Sequence, residues 1–547
     1  MFLGERMNNR MRWLGIGLLL AAVVALYGRF LSNPLVFDDL YFFMQGQDGY
    51  RQHVGSVFAP WELRWLPYAT LAWTADGFGV GLAPFRWGNL LLHAANAALL
   101  FLLTARLLQS SRPVEQSPVG DERRAWLVAL LFALNPVSVY AAAYLIQRSI
   151  LLATWFSLLA LYAYLRGVAD GRRRWLAVSV AAYALAVLSK EHLILLPAVM
   201  LALTFVLTRP TWALWRQLGG VYLACAGVAT YVVAQRFGYL GTVYELDAPA
   251  MLVELPGDHP YLNSVLTQCA LFFKYGALWL LPNPGWLAVD MREPFASGLL
   301  SRYSLAVLAF AAYGGAAIWL LRQGGRRALI GFGLLLPWLL FLTELSTVRI
   351  QEVFVLYRSY PWAIGGALVL AALIGAVRGR VLVLLSLALI PCLYVLSLER
   401  LATFSHPVLL WEDAEQHLRG HSDLPGAYRI YYNLGTERLK LDMNAQAVVD
   451  LRRSLELYPG LSAAHGNLAL AYLRQEQAEA AVAEYTQALA LDQKNQAAPN
   501  AKFYYGRGLA YQAARRAPEA DADFAESCRL VGKGCTPDDR ALPKLHY

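Results

Sequence analysis

The chain has 547 residues, of which 58% are hydrophobic and only 16% charged, with a formal net charge of +9. A water-soluble globule of this length has no need of so apolar a composition, so the balance points to a polytopic membrane protein. The basic residues form short clusters between apolar runs, which suits membrane topology and argues against a nucleic-acid partner.

Hydropathy predicts spans near residues 12–28, 84–104, 125–145, 150–166, 175–189, 192–208, 217–234, 303–321, 328–345, 361–377 and 381–398. Each is close to the roughly 20 residues a helix needs to cross a bilayer. The first follows Arg6, Arg10 and Arg12 and lacks a small-residue cleavage site, so it reads as a retained anchor with a cytoplasmic amino terminus. Just beyond it stands Phe37-Asp38-Asp39-Leu40; paired carboxylates at the lip of a span are costly, and the default reading of such a group is functional. Further along, Arg106 with Arg123 and Arg124, Arg172 to Arg174, Arg209 and Arg216, Arg322 with Arg326 and Arg327, and Arg378 with Arg380 fall in alternate loops. Eleven spans with the carboxyl-terminal tail outside satisfy that register. Residues 263–282 are apolar enough to span but would invert every later loop, so they are placed as a re-entrant or interfacial helix stopped by Pro282-Asn283-Pro284-Gly285. The outer side then holds the loop 29–83, an acidic loop with Glu245, Asp247, Glu254 and Asp258, the loop 346–360, and everything after Ser397.

The tail from about residue 425 repeats. Aligning Leu434-Gly435, Leu468-Ala469 and Arg507-Gly508 brings Ala447, Ala481 and Ala520 into one column, with Leu451, Tyr485 and Phe524 four residues further on. The first two units are offset by 34 residues, the tetratricopeptide (TPR) period, and the third by 39. Small residues let paired helices approach and the aromatics fill the gap, so three units stack into a short α-solenoid with a face suited to a protein partner. Of five cysteines, Cys225, Cys269 and Cys392 lie in or beside apolar segments, whereas Cys528 and Cys535 flank the Gly532-Lys533-Gly534 turn. That pair is either a disulfide or two free thiols.

The chain resembles the membrane-and-TPR O-mannosyltransferases, the TMTC proteins, and their bacterial relatives among the GT-C glycosyltransferases. The marks are Val36-Phe37-Asp38-Asp39, Arg64-Trp65-Leu66-Pro67, Asn89-Leu90-Leu91-Leu92-His93, Leu131 to Pro136, Gln147-Arg148-Ser149, Leu188-Ser189-Lys190-Glu191, Tyr357 to Pro361, and Leu410-Trp411-Glu412-Asp413. The resemblance covers about Asn33 to Leu530. Asn135, Ser138 and Tyr140 stand in the third span where many relatives carry histidines and an acid, a departure that concerns mannosyl specificity and not the reaction type. The fold so implied is all-α: a GT-C-type membrane bundle of about eleven spans (1–400), a connecting segment (401–424), TPR repeats (425–535) and a tail (536–547).

Moving a sugar from a polyprenyl-phosphate donor to a hydroxyl needs a base near the anomeric carbon, and Asp38 or Asp39 suits that role. The resemblance makes the first-loop acid catalytic, with Asp38 favoured; the alternative for the pair is a helix cap. A departing lipid phosphate gathers negative charge, so Arg148, Arg358 and Arg64 are candidate phosphate ligands, each with snorkelling or an ion pair to Glu62 or Glu352 as its structural alternative. Lys190 and Glu191 interrupt an apolar stretch and either pair with each other or hold the donor phosphate. His93, alone on an apolar helix, is a packing residue or an active-site one. No cofactor is assigned; GT-C enzymes differ in whether they use a divalent metal, and two carboxylates accommodate either case. The absence of an Asn-x-Ser/Thr sequon favours a bacterial inner membrane with the active face and TPR tail in the periplasm. The partners so expected are the membrane lipid, a lipid-linked sugar, a protein or glycan acceptor, and a protein on the TPR face. An oligosaccharide ligase and a non-enzymatic envelope scaffold are the competing readings.

Overall fold

The computed structural model describes residues 2–37, 39, 62–111, 118–243, 259–299, 301–375, 377, 379–418, 420, 421, 423–532, 535, 536, 539 and 540. Asp38 and the acidic loop with Glu245, Asp247, Glu254 and Asp258 lie outside them. Among the described residues the fold is all-α, with one isolated antiparallel bridge between Met291 and Phe354. The chain divides into two compact units, Met1–His406 and Pro407–Tyr547.

The first unit comprises α1 (Phe2–Tyr27), α2 (Trp65–Phe78), α3 (Leu82–Ser110), α4 (Pro118–Ala133), α5 (Pro136–Ala142), α6 (Arg148–Ala169), α7 (Arg173–Ser189), α8 (Leu196–Leu207), α9 (Trp212–Gln235), α10 (Pro260–Leu280), α11 (Arg302–Leu321), α12 (Gly325–Phe341), α13 (Ala363–Ile374) and α14 (Gly379–Thr403). The long helix α3 is central and packs against α1, α2, α4, α6 and α13. Among the described residues seven helical segments are long and apolar enough to cross a membrane, and the bent pair α4–α5, taken as one span, raises that to eight. The shorter apolar helices Glu191–Leu207 and Ala363–Ile374 and the 17-residue α7 stand where three further spans are expected.

Two expectations about individual segments need correction. Residues 125–145 are not one unbroken helix: the helix stops at Ala133 and resumes at Pro136 with a 65° bend. Pro136 has no N–H and sits at the first turn of α5, while the Asn135 side chain caps that turn by accepting from the Val137 N–H at 3.0 Å. The loop 29–83 is not all loop, since it contains α2. As for residues 263–282, they form one unbroken helix, α10, which ends at Leu280 ahead of Pro282. Elsewhere small residues permit close approach, as at Gly365, where an added Cβ would lie 2.5 Å from Pro337 Cδ on α12.

The second unit begins with α15 (Pro407–Gln416) and continues as three helical hairpins: α16 (Tyr428–Lys440) with α17 (Asn444–Leu457), α18 (Ser462–Arg474) with α19 (Ala478–Lys494), and α20 (Ala501–Ala513) with α21 (Ala517–Val531). The repeated small-large pattern is the packing: a Cβ at Gly435 would meet Leu451 at 2.8 Å, and one at Gly508 would meet Phe524 at 2.9 Å. Ala447, Ala481, Ala520, Leu451, Tyr485 and Phe524 share one core.

Past α21, Cys528 and Cys535 form a disulfide. The segment it closes is followed by Arg540, which pairs with Asp521 at 2.7 Å and lies over the Phe524 ring, while the Tyr505 hydroxyl donates to the Asp539 carbonyl at 2.6 Å. Asp539 and Arg540 are thereby held against the last hairpin. Closing a loop with a sequence separation of 7 stabilises the unit by about 2 kcal/mol on chain-entropy grounds. Cys528→Ser in the full-length protein is thus expected to lower the melting temperature of the repeat unit, and dithiothreitol to do the same to the wild type. Identical melts with and without reductant would refute the contribution.

Candidate functional site

The site is built around the break between α4 and α5. A helix stopped in an apolar interior leaves carbonyls without partners, and each must find a donor. Here the Phe132 carbonyl accepts from Ser138 Oγ at 2.8 Å, the Ala133 carbonyl from His93 Nε2 at 3.0 Å, and the Leu134 carbonyl from Ser397 Oγ at 2.8 Å. Beyond α5 the same accounting continues: the Ala143 carbonyl accepts from Arg86 Nη1 at 2.9 Å, and the Tyr144 and Leu145 carbonyls accept from Asn89 Nδ2 at 3.4 and 3.2 Å. Arg86, Asn89, His93 and Asn96 form a buried polar stripe along one face of α3.

The amides of that turn are taken by Asp39, in the Asp38-Asp39 loop that follows α1 and is the acidic loop meant from here on. Asp39 is fully buried, and its carboxylate accepts from the Ile146 N–H at 2.9 Å and the Leu145 N–H at 3.4 Å. Burial pushes its pKa up to about 7, against the opposing pull of the Ile146 amide and the Arg86 guanidinium. An acid whose pKa is raised on docking binds its proton more tightly in the docked state. The docked loop is therefore most stable at low pH and loses stability as the pH rises from the ordinary carboxylate range towards 7.

Two residues expected in the site serve the helix packing. Arg148, at the start of α6, is buried and donates through Nε to Asn89 at 2.9 Å, through Nη1 to the Thr70 carbonyl at 3.1 Å and Thr74 Oγ1 at 3.0 Å, and through Nη2 to the Phe85 carbonyl at 2.7 Å. It clamps α2, α3 and α6 together, and Gly88 leaves room for it, since a Cβ there would fall 2.6 Å from Nη2. His93 donates from Nε2 to Ala133, so in the neutral ring Nδ1 accepts the Tyr360 hydroxyl at 2.6 Å. Both hydrogen bonds join helices.

The other expected residues come together. Arg64, held in a left-handed conformation (φ 67), grips Glu191 with Nε at 3.0 Å and Nη2 at 2.6 Å, and Arg236 reaches the same carboxylate at 3.4 Å. Lys190 and Glu191 therefore do not pair with each other. Arg358 pairs with Glu352 and, at 3.3 Å, with Glu344, which Arg349 also approaches at 3.2 Å. Lys190 differs: it is buried, its Nζ lies 5.4 Å from the Tyr357 ring centroid, and among the described residues no carboxylate pairs with it. Burial and the neighbouring Arg64 push its pKa down to about 7. Among the described residues five cations thus meet three carboxylates.

Aromatic side chains join this network to the acidic loop, since Tyr357 meets Tyr144 edge-on at 6.3 Å and Tyr144 meets Phe37 at 6.3 Å. Next to the network opens a cavity of ≈ 320 Å³ walled by Ile194, Leu195, Val232, Val233, Leu240 and Leu342, with Glu191, His192, Arg236 and Arg349 at its polar side. Among the described residues no group of three or more His, Cys, Asp or Glu side chains converges as a metal site would. Sequence reasoning missed Arg86, Arg236, Glu344 and Arg349; the available signal was a charge inside or beside an apolar run.

Comparison with known proteins adds one assignment. Residues 428–460 and 462–495 each match the tetratricopeptide repeat. This part of the chain is a TPR region. TPR hairpins stack into surfaces for protein–protein interaction, and the α20–α21 hairpin extends the same stack beyond the matched residues. No curated protein matches the chain.

The titration of Asp39 is directly measurable. Dicyclohexylcarbodiimide attacks protonated carboxyl groups in apolar surroundings, so labelling of Asp39 in the detergent-solubilised protein, followed by peptide mass spectrometry, is expected to fall with a midpoint near pH 7. A midpoint near the ordinary Asp value of about 4 would show the carboxylate hydrated and the loop undocked.

Proposed function

We propose that this chain is an integral membrane glycosyltransferase of the GT-C type, with about eleven passes, that moves a sugar from a polyprenyl-phosphate donor to a hydroxyl of a protein or glycan acceptor. The observation that carries the reading is the anchored acidic loop joined by an aromatic wall to a cation-rich network beside an apolar cavity. Such a cavity accommodates part of an isoprenoid chain, and the excess positive charge at its rim suits the phosphate.

In this reading Asp38 is the base and Asp39 its anchor, since a carboxylate buried on two amides is spoken for. As the anomeric C–O bond to phosphate breaks, its electron pair stays on the phosphate oxygen. The acceptor oxygen forms the new bond on the opposite face, and Asp38 takes its proton; the sugar inverts. Lys190 meets the growing phosphate charge, because the neighbouring arginines are engaged with glutamates. A bound phosphate raises the Lys190 pKa and keeps it protonated. The TPR region recruits the acceptor or a partner protein. The Cys528–Cys535 disulfide agrees with a periplasmic placement of that region, and the lipid with a bacterial inner membrane.

Membranes holding the wild type, Asp38→Asn or Asp39→Asn, given radiolabelled polyprenyl-phosphate sugars, test the reading through label entering protein or glycan. Asp38→Asn is expected to lose about 10²- to 10⁴-fold in kcat, as loss of a general base does. Asp39→Asn is expected to lose less, since its amide still accepts from Ile146. Transfer that survives both substitutions, or no transfer with any donor while the repeats capture partners, would favour the ligase or the scaffold.

Lys190 gives an independent check. Lys190→Met is expected to cost about 10²-fold in kcat/KM, the scale of removing one donor to a developing oxyanion, with Lys190→Arg recovering part of it. Equal rates for Lys190→Met and wild type would remove Lys190 from the phosphate site.

A further inference from the structure

Arg86 was not among the residues the sequence singled out, yet it is the polar residue of the α3 stripe that touches both sides of the acidic loop's seat. Its Nε and Nη2 donate to the Asn33 carbonyl at 3.0 and 2.7 Å, Nη2 also donates to the Pro34 carbonyl at 2.6 Å, and Nη1 donates to the Ala143 carbonyl at 2.9 Å. One planar fork therefore joins the extended segment before Asp39 to the turn whose amides hold Asp39. Asn33 is itself tied to the Leu401 carbonyl at 3.3 Å, so this entering segment is also fixed to α14.

We propose that Arg86 is a positioning residue: by holding Asn33 and Pro34 beside Ala143 it docks Asp39 on the 143–146 turn. The catalytic meaning of this docking rests on the transferase reading, but the docking itself does not. Three carbonyls on two chain segments need a donor with a fixed, branched geometry, which arginine has and lysine lacks. The other cations on neighbouring elements are turned away. Arg148 of α6 is spent on Asn89, Thr70, Thr74 and Phe85, and Arg400 of α14 on Glu399 and the Leu287 carbonyl. Among the described residues Arg86 is the charged group that bears on Asp39; Asp38, next to it, lies outside them.

The test uses the full-length protein in detergent, with carbodiimide labelling of Asp39 read across pH 5 to 9 in wild type, Arg86→Gln and Arg86→Lys. Gel filtration checks that each variant is monodisperse. In Arg86→Gln the loop is expected to undock and Asp39 to hydrate, so the labelling midpoint should fall from about 7 to below about 5, within the ordinary carboxylate range. An unchanged midpoint, or one displaced upwards, would mean that the loop stays docked without Arg86 and would overturn the proposal. If Arg86→Gln is not monodisperse, Arg86→Lys decides. One ammonium nitrogen cannot stand at once where Nε, Nη1 and Nη2 of the fork stand, so its midpoint should also fall, and a wild-type midpoint overturns the proposal. Transfer supplies a second readout: Arg86→Lys should lower kcat at least tenfold and leave the donor KM within twofold, because the Lys190 network is untouched. A wild type that transfers no sugar, while the labelling shifts as stated, would sink the transferase reading and leave the docking role of Arg86 standing.

Discussion

The constraint on which the first unit depends is the cost of a broken helix in an apolar interior. An unpaired buried carbonyl costs on the order of 1–3 kcal/mol, and the gap between Ala133 and Pro136 would create three in succession. The protein meets this with donors from three separate helices: Ser138 from α5, His93 from α3 and Ser397 from α14. Those bonds fix α3, α5 and α14 relative to one another. The break is thus a junction where distant parts of the chain are made to converge.

Everything at the acidic loop follows from that junction. Because α5 is bent away by 65°, the chain must turn again before α6, and the 143–146 turn exposes both carbonyls and amides. Arg86 and Asn89 supply donors for the carbonyls, and Asp39 supplies an acceptor for the amides. Arg148 then locks Asn89 in place through its Oδ1, and so helps to govern the turn on which Asp39 rests. The same helix stripe, spaced at three and four residues, services both the break and the turn.

Much of this was legible in the sequence, and what was not has specific physical causes. The TPR hairpins were visible because the small residue and its large partner recur at fixed spacing inside one local unit, as Gly435 with Leu451 and Gly508 with Phe524 show. Long apolar helices were visible for the same local reason. The break at Asn135-Pro136 carried a plain signal, a capping residue followed by proline, but an averaged hydropathy window runs straight across two residues. Arg148 was read by its charge, whereas its role is set by hydrogen-bond geometry: carbonyls of α2 and α3 take up its fork. Arg86 was unreadable because its importance lies in joining Asn33 to Ala143, segments 110 residues apart, and nothing in either sequence stretch announces the other.

The contrast between Lys190 and Glu191 shows how neighbouring residues acquire opposite duties. Glu191 is saturated: two arginines from different elements share its carboxylate, and its removal would leave Arg64 and Arg236 facing each other. Lys190 has the same backbone origin but reaches an aromatic ring, a partner that tolerates an ammonium without neutralising it. Glu191 and Glu352 favour its charge from a distance, but burial and the nearby arginines outweigh them and leave its pKa depressed. In a network where Glu191, Glu344 and Glu352 are engaged by arginines, an anion of the kind proposed would gain more from Lys190 than from any of the arginines already paired with a carboxylate.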